Sequence, residues 1–104
     1  MVKYLKISKE NCTPCMRIQM FLDNNVPEKQ DFIKDIKELE DMTEDNVLYC
    51  ATVEESPHLA SFFELSGVPA IIKLNSDNSV TNPNLDIRYG FDSEYLYEVT
   101  NQIG

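Results

Sequence analysis

The stretch Lys6-Ile7-Ser8-Lys9-Glu10-Asn11-Cys12-Thr13-Pro14-Cys15-Met16-Arg17-Ile18 sets two cysteines two residues apart, between flanks of different character. Upstream, Val2 to Ile7 alternates apolar and polar side chains and gives way to the polar cluster Ser8 to Asn11, the pattern of a strand feeding a loop. Downstream, from Thr13, the residues Met16, Ile18, Met20, Phe21 and Leu22 form an apolar helical stretch that ends at Asp23-Asn24-Asn25, before Pro27. The first cysteine is therefore predicted at a helix N-terminus.

Working outward, Pro27 to Met42 is predicted to form a second, amphipathic helix, with Phe32, Ile36 and Leu39 on one face and charged residues on the other. Val47 to Val53 is nearly all apolar or β-favouring, as a strand covered on both faces requires. Ser56-Pro57 supplies a cap and a first-turn proline for another helix, whose apolar face is Leu59, Phe62, Phe63 and Leu65, with Gly67 at its stop. A strand is expected at Ala70 to Leu74, directly after Pro69. Turn residues fill Asn75 to Ser79, Leu85, Ile87 and Tyr89 alternate as a last strand, and Ser93 caps a final helix ending near Ile103. The order β-α-α-β-α-β-β-α describes one α/β unit over residues 1–104: a small four-stranded mixed sheet flanked by helices.

Composition narrows the functional classes. The chain has 104 residues, room for one domain, and carries 9 basic against 18 acidic side chains, a formal net charge of -9. That field repels phosphate backbones and anionic lipid, so neither nucleic acid nor a membrane is expected as partner. No run approaches the ~20 consecutive apolar residues of a membrane span, and Met1 to Ile7 lacks the apolar stretch of a secretory signal, so the expected compartment is the cytosol. Nothing in the sequence demands more than a monomer.

A reducing compartment does not sustain structural disulfides, so a close cysteine pair there is redox-active or metal-binding. At a helix start, unpaired backbone N–H groups and the positive dipole end favour a thiolate on Cys12; Lys9 and Arg17 would add to this and Glu10 oppose it. Cys15, one turn further on, is close enough to close a disulfide with Cys12. The metal reading needs Cys50 and His58 as third and fourth zinc ligands. Cys50, however, sits in an apolar strand where a free cysteine packs as a small hydrophobe, and His58 reads as a surface residue.

Cys12-Thr13-Pro14-Cys15, together with Gly67-Val68-Pro69 far downstream, resembles the two signatures of the thioredoxin and glutaredoxin superfamily. The resemblance extends through Tyr89-Gly90 and covers nearly the whole chain. It implies a thiol–disulfide oxidoreductase in which Cys12 attacks and Cys15 resolves, with no cofactor beyond the redox-active Cys12–Cys15 pair and no metal. It further implies a cis Pro69 beside the dithiol, and a substrate surface made by Thr13, Pro14, Val68 and Pro69. The implied partners are a disulfide-containing protein and, as reductant, a thioredoxin reductase or glutathione. With only one strand before Cys12, the chain is more similar to the short glutaredoxin-like core than to full thioredoxin. For glutathione itself the match is confined to Gly90-Phe91-Asp92. Two positions depart from thioredoxins: Asn11 stands where they usually place tryptophan, and Lys6 where they usually place a buried, proton-shuttling acid. The competing function is an interaction module that keeps the fold and binds a partner through its acidic surface or the additional helix.

Overall fold

Alternation with a period of two places successive side chains of a strand on opposite faces, and the sheet of this protein is built on that rule. The computed structural model describes residues 3–34, 38, 47–74 and 86–103. Its strands are β1 (Lys3–Ser8), β2 (Gln30–Phe32), β3 (Val47–Thr52), β4 (Ala70–Leu74) and β5 (Asp86–Tyr89), and its helices α1 (Thr13–Asn25), α2 (Pro57–Phe62) and α3 (Ser93–Ile103). They form one mixed sheet in the order β2-β3-β1-β4-β5. β1 pairs parallel to β3 and antiparallel to β4, β2 lies parallel to β3, and β5 antiparallel to β4.

Two apolar layers follow from the alternation. Leu5, Ile7, Tyr49, Ala51 and Ile72 face Leu59 and Phe63, at and just beyond α2. Tyr4, Leu48, Cys50 and Ile71 face Ile18 and Leu22 of α1 and Tyr95, Leu96, Val99 and Ile103 of α3. Each fully covered aliphatic side chain contributes roughly 1.5–3 kcal/mol, so α1 with two of them and α3 with three are fixed firmly against the strands. As the apolar run predicts, β3 is buried from Val47 to Ala51.

The sheet has five strands, not the expected four, and the extra one replaces the start of the expected second helix. Pro27–Lys29 makes a single 3-10 turn and Gln30–Phe32 then pairs with Leu48–Cys50. Ladder bonds to β3 outweigh the helical periodicity of this segment, a tertiary override of local preference. Phe32, expected on the buried helical face, is 74% exposed, whereas Ile33 is buried and its N–H bonds Cys50 O at 2.9 Å. Ile36, Leu39 and the rest of the expected helix to Met42 lie outside the described residues, apart from Glu38, as does the turn at Asn75 to Ser79.

Four further features differ from expectation. Met16 and Met20 are 63% and 65% exposed, because α1 buries the face carrying Cys15, Ile18 and Leu22. α2 stops before Gly67: Glu64 adopts a left-handed φ of 53°, and its N–H and that of Leu65 turn back to Ser61 O and Ala60 O. At α3 the capping side chain is Asp92, not Ser93, with Oδ1 accepting from the N–H of Glu94 at 3.1 Å and of Tyr95 at 3.3 Å. Ser56 precedes α2 as expected, but its hydroxyl donates to Lys34 O rather than capping the helix.

Candidate active site

β1 ends at Ser8, and Lys9 to Asn11 turn the chain into α1. Asn11 has a left-handed φ of 55°, a conformation that asparagine tolerates better than most residues with a Cβ. Cys12 is the N-cap of α1, in extended conformation, and its Sγ accepts the Cys15 N–H at 3.3 Å. Pro14 occupies the first turn, where its missing N–H costs no helical bond. Cys12 and Cys15 are joined by a disulfide across a Cα–Cα distance of 5.2 Å. The bond is recessed: Cys12 is 5% and Cys15 4% exposed, while Asn11, Thr13 and Pro14 form an exposed rim.

Sheet register brings the remote proline to the same place. Ile7 pairs with Ala70 in the antiparallel β1–β4 ladder, so Pro69, just before Ala70, lies at the end of the sheet where β1 leads toward Cys12. The Val68–Pro69 bond is cis. Pro69 O accepts the N–H of Gly90, which takes a φ of 77°. That left-handed value accounts for a glycine after β5. Among the described residues no backbone group engages the N–H or C=O of Val68. Beside Val68 opens a shallow depression of about 250 Å³, with Val53, Ala60 and Leu65 as its apolar wall and Lys9 at its edge.

The charges expected to favour a Cys12 thiolate are only partly placed at the site. Lys9 is exposed beside the depression, and the Arg17 guanidinium lies 4.4 Å from the Phe91 ring centre. The Glu10 backbone N–H bonds the Glu54 carboxylate at 3.1 Å and ties the loop to the turn after β3.

Beneath α1 lies a polar cluster that the sequence did not reveal. Lys6 is 2% exposed and its Nζ donates to Gln19 Oε1. Gln19 Nε2 donates to Asp23 Oδ1 at 2.8 Å and Gln30 Oε1 at 2.9 Å, and Gln30 Nε2 reaches Asp23 Oδ1 at 3.1 Å. Burial lowers the Lys6 pKa below its ordinary value, with the Cys50 and Asp23 charges opposing. Cys50, opposite Lys6 in the β1–β3 ladder, directs its thiol at Gln30 Oε1, and burial pushes that thiol up while the Lys6 ammonium pulls it down. An isolated glutamine carries no sequence signal, and a lysine reads by default as a surface residue.

The four-ligand zinc set does not assemble. Among the described residues no three His, Cys, Asp or Glu side chains converge on a metal-sized space; Cys50 is buried in the α1-side layer, whereas His58 is exposed on α2. No described helix is long and apolar enough to cross a membrane.

No protein-family model matches the chain, and no curated protein does. Solved structures do. Thioredoxin of Trichomonas vaginalis superposes with a TM-score of 0.63 at 14% identity, over 99% of this chain and 79% of that one. Fasciola hepatica thioredoxin gives 0.62 at 14%, covering 99% and 81%. Oxidised thioredoxin from Plasmodium falciparum gives 0.60 at 18%, covering 96% and 78%. The architecture is the thioredoxin fold.

Proposed function

We propose that this thioredoxin-fold chain is a thiol–disulfide oxidoreductase that reduces disulfides of protein substrates through Cys12 and Cys15. The observation that carries the reading is a disulfide at a helix N-terminus, set under an exposed rim at the end of the sheet shared with Val68 and Pro69. In the reduced protein the first-turn N–H groups and dipole of α1 favour the Cys12 thiolate. That thiolate attacks a substrate disulfide, forming a Cys12 mixed disulfide and releasing one substrate thiolate. Cys15 then loses its proton to the departing sulfur, attacks Cys12 Sγ, releases the second substrate thiolate and closes the Cys12–Cys15 bond. Two electrons pass from the dithiol to the substrate, and no other cofactor takes part.

Thr13 and Pro14, exposed between the cysteines, meet the substrate. Val68 offers its uncommitted N–H and C=O to an extended segment, as an added strand does, and Pro69 fixes that edge. The protein works as a monomer in the cytosol, and a flavin-dependent thioredoxin reductase or glutathione returns the electrons.

The deciding experiment follows reduction of a disulfide-bonded test protein by wild type and Cys12→Ser, with each electron donor in turn. Wild type is expected to exceed the variant by at least about a hundredfold with one donor, while Cys15→Ser accumulates mixed disulfides on Cys12. Equal rates for wild type and Cys12→Ser with both donors refute the reading.

A further inference from the structure

Lys6 is a cation with almost no access to water, and it lies under the helix that starts with the dithiol. It reaches α1 at Gln19, one helical turn beyond Cys15 on the same face. The interposed Gln19 side chain and that single turn put the ammonium within about 10 Å of the Cys15 sulfur. The charged and titratable groups that act on it are Cys50 on β3 and Asp23 on α1; from β4 its ladder neighbour is the apolar Ile71. Asp23 is exposed and meets Lys6 only through Gln19. The ammonium thus has no directly bonded carboxylate among the described residues, and its field extends into the buried space under α1.

We propose, resting on the redox reading above, that Lys6 is a positioning residue for electron exchange: its buried ammonium favours the thiolate-bearing dithiol over the neutral Cys12–Cys15 disulfide and makes the pair a stronger oxidant. The balance involved is Cys12 thiolate plus Cys15 thiol plus glutathione disulfide, going to the Cys12–Cys15 disulfide plus one glutathione thiolate and one glutathione thiol. One negative charge leaves the site when the bond closes, and a fixed positive charge opposes its leaving. The charge that leaves is on Cys12, one bond beyond the Cys15 sulfur, so for unit charges about 12 Å apart in a medium of effective dielectric about 20 the effect on the equilibrium is roughly tenfold.

The test equilibrates the full-length protein with glutathione redox buffers at pH 7 and quantifies the oxidised fraction after acid trapping. Lys6→Met keeps the buried stem and removes the charge, and is expected to shift the equilibrium about tenfold toward the disulfide, about 30 mV more reducing. Gln19→Glu sets a carboxylate against the ammonium without altering the strand, and is expected to move it the same way. Lys6→Arg retains the charge and is expected to stay within threefold of wild type. A Gln19→Glu equilibrium within twofold of wild type overturns the inference, even if Lys6→Met fails to fold. A shift toward the dithiol in Lys6→Met or in Gln19→Glu overturns it equally. Wild type that does not exchange with glutathione disulfide at all overturns the redox reading and, with it, this inference; exchange with unmoved variants overturns this inference alone.

Discussion

Reducing the Cys12–Cys15 bond is expected to cost the folded protein much less than a disulfide usually contributes. The two cysteines are three apart in sequence, so the bond closes a minimal loop, and loop-closure entropy assigns about 2 kcal/mol to it in the unfolded chain. Against that stands what the fold does for the reduced pair. A thiolate at the start of α1 gains about 0.5–1 kcal/mol from the helix terminus, and the Lys6 ammonium acts in the same direction. With the tenfold effect of Lys6 the two forms are then left within about 1 kcal/mol of each other, a shift of no more than about 1 M in urea midpoint. Urea unfolding at pH 7, followed by far-ultraviolet circular dichroism with and without excess dithiothreitol, measures the difference. By linkage it equals the difference in redox free energy between the folded and unfolded pair. If the oxidised protein is the more stable by about 3 kcal/mol or more, the folded site does not favour the thiolate and the argument from the helix start fails.

Two stability predictions concern groups outside the dithiol. The Tyr95 hydroxyl is buried without a hydrogen-bond partner among the described residues, while its ring stacks under Arg88 at 5.1 Å. Tyr95→Phe keeps the ring and removes the orphan, so it should gain about 1 kcal/mol and raise Tm by roughly 4–8 °C; a lower Tm in thermal unfolding would contradict this. Cys50 has its pKa raised above 9.0 by burial, so its contribution is complete below pH 9 and lost as the pH climbs toward the folded value. The stability difference between wild type and Cys50→Ala should therefore shrink by up to about 1.4 kcal/mol between pH 8 and pH 10. A difference that stays constant or widens would mean the thiol ionises in the fold as readily as in the unfolded chain.

The parts of this structure that could be read from the sequence are those where local chemistry and tertiary packing agree. The unbroken apolar run at β3 has no comfortable place except a covered strand, and Cys12 falls between a strand pattern and a helix pattern. The cis Pro69 came from resemblance, not physics, since nothing local to Gly67-Val68-Pro69 selects that isomer. What stayed hidden depends on long-range partners. Gln30–Phe32 is a strand because Leu48–Cys50 offers it a ladder. Met16 and Met20 are surface residues because Cys15, Ile18 and Leu22 define the buried stripe of α1. Lys6 occupies an inward position of an alternating strand, and its burial is tolerable because Gln19 and Gln30 carry its polar contacts out to Asp23.

The site depends on register more than on any side chain within it. β1 lies between a parallel neighbour and an antiparallel one, with Ser8 opposite Thr52 on one side and Ile7 opposite Ala70 on the other. The end of β1, the turn after β3 and the residue before β4 therefore converge on one edge of the sheet, and α1 begins there. A slip of two residues in the β1–β4 ladder would preserve which side chains face inward, yet would carry Pro69 about 7 Å along the sheet, out of reach of Cys12. A slip of one would instead turn the inward row Leu5 and Ile7 to the other face. Lys6, the one polar residue among the buried Tyr4 to Ile7, distinguishes the two faces of β1 and so opposes the second error, but is indifferent to the first. The Gly90 N–H bonded to Pro69 O holds the start of β4 against the end of β5, so the two strands keep their mutual register next to β1.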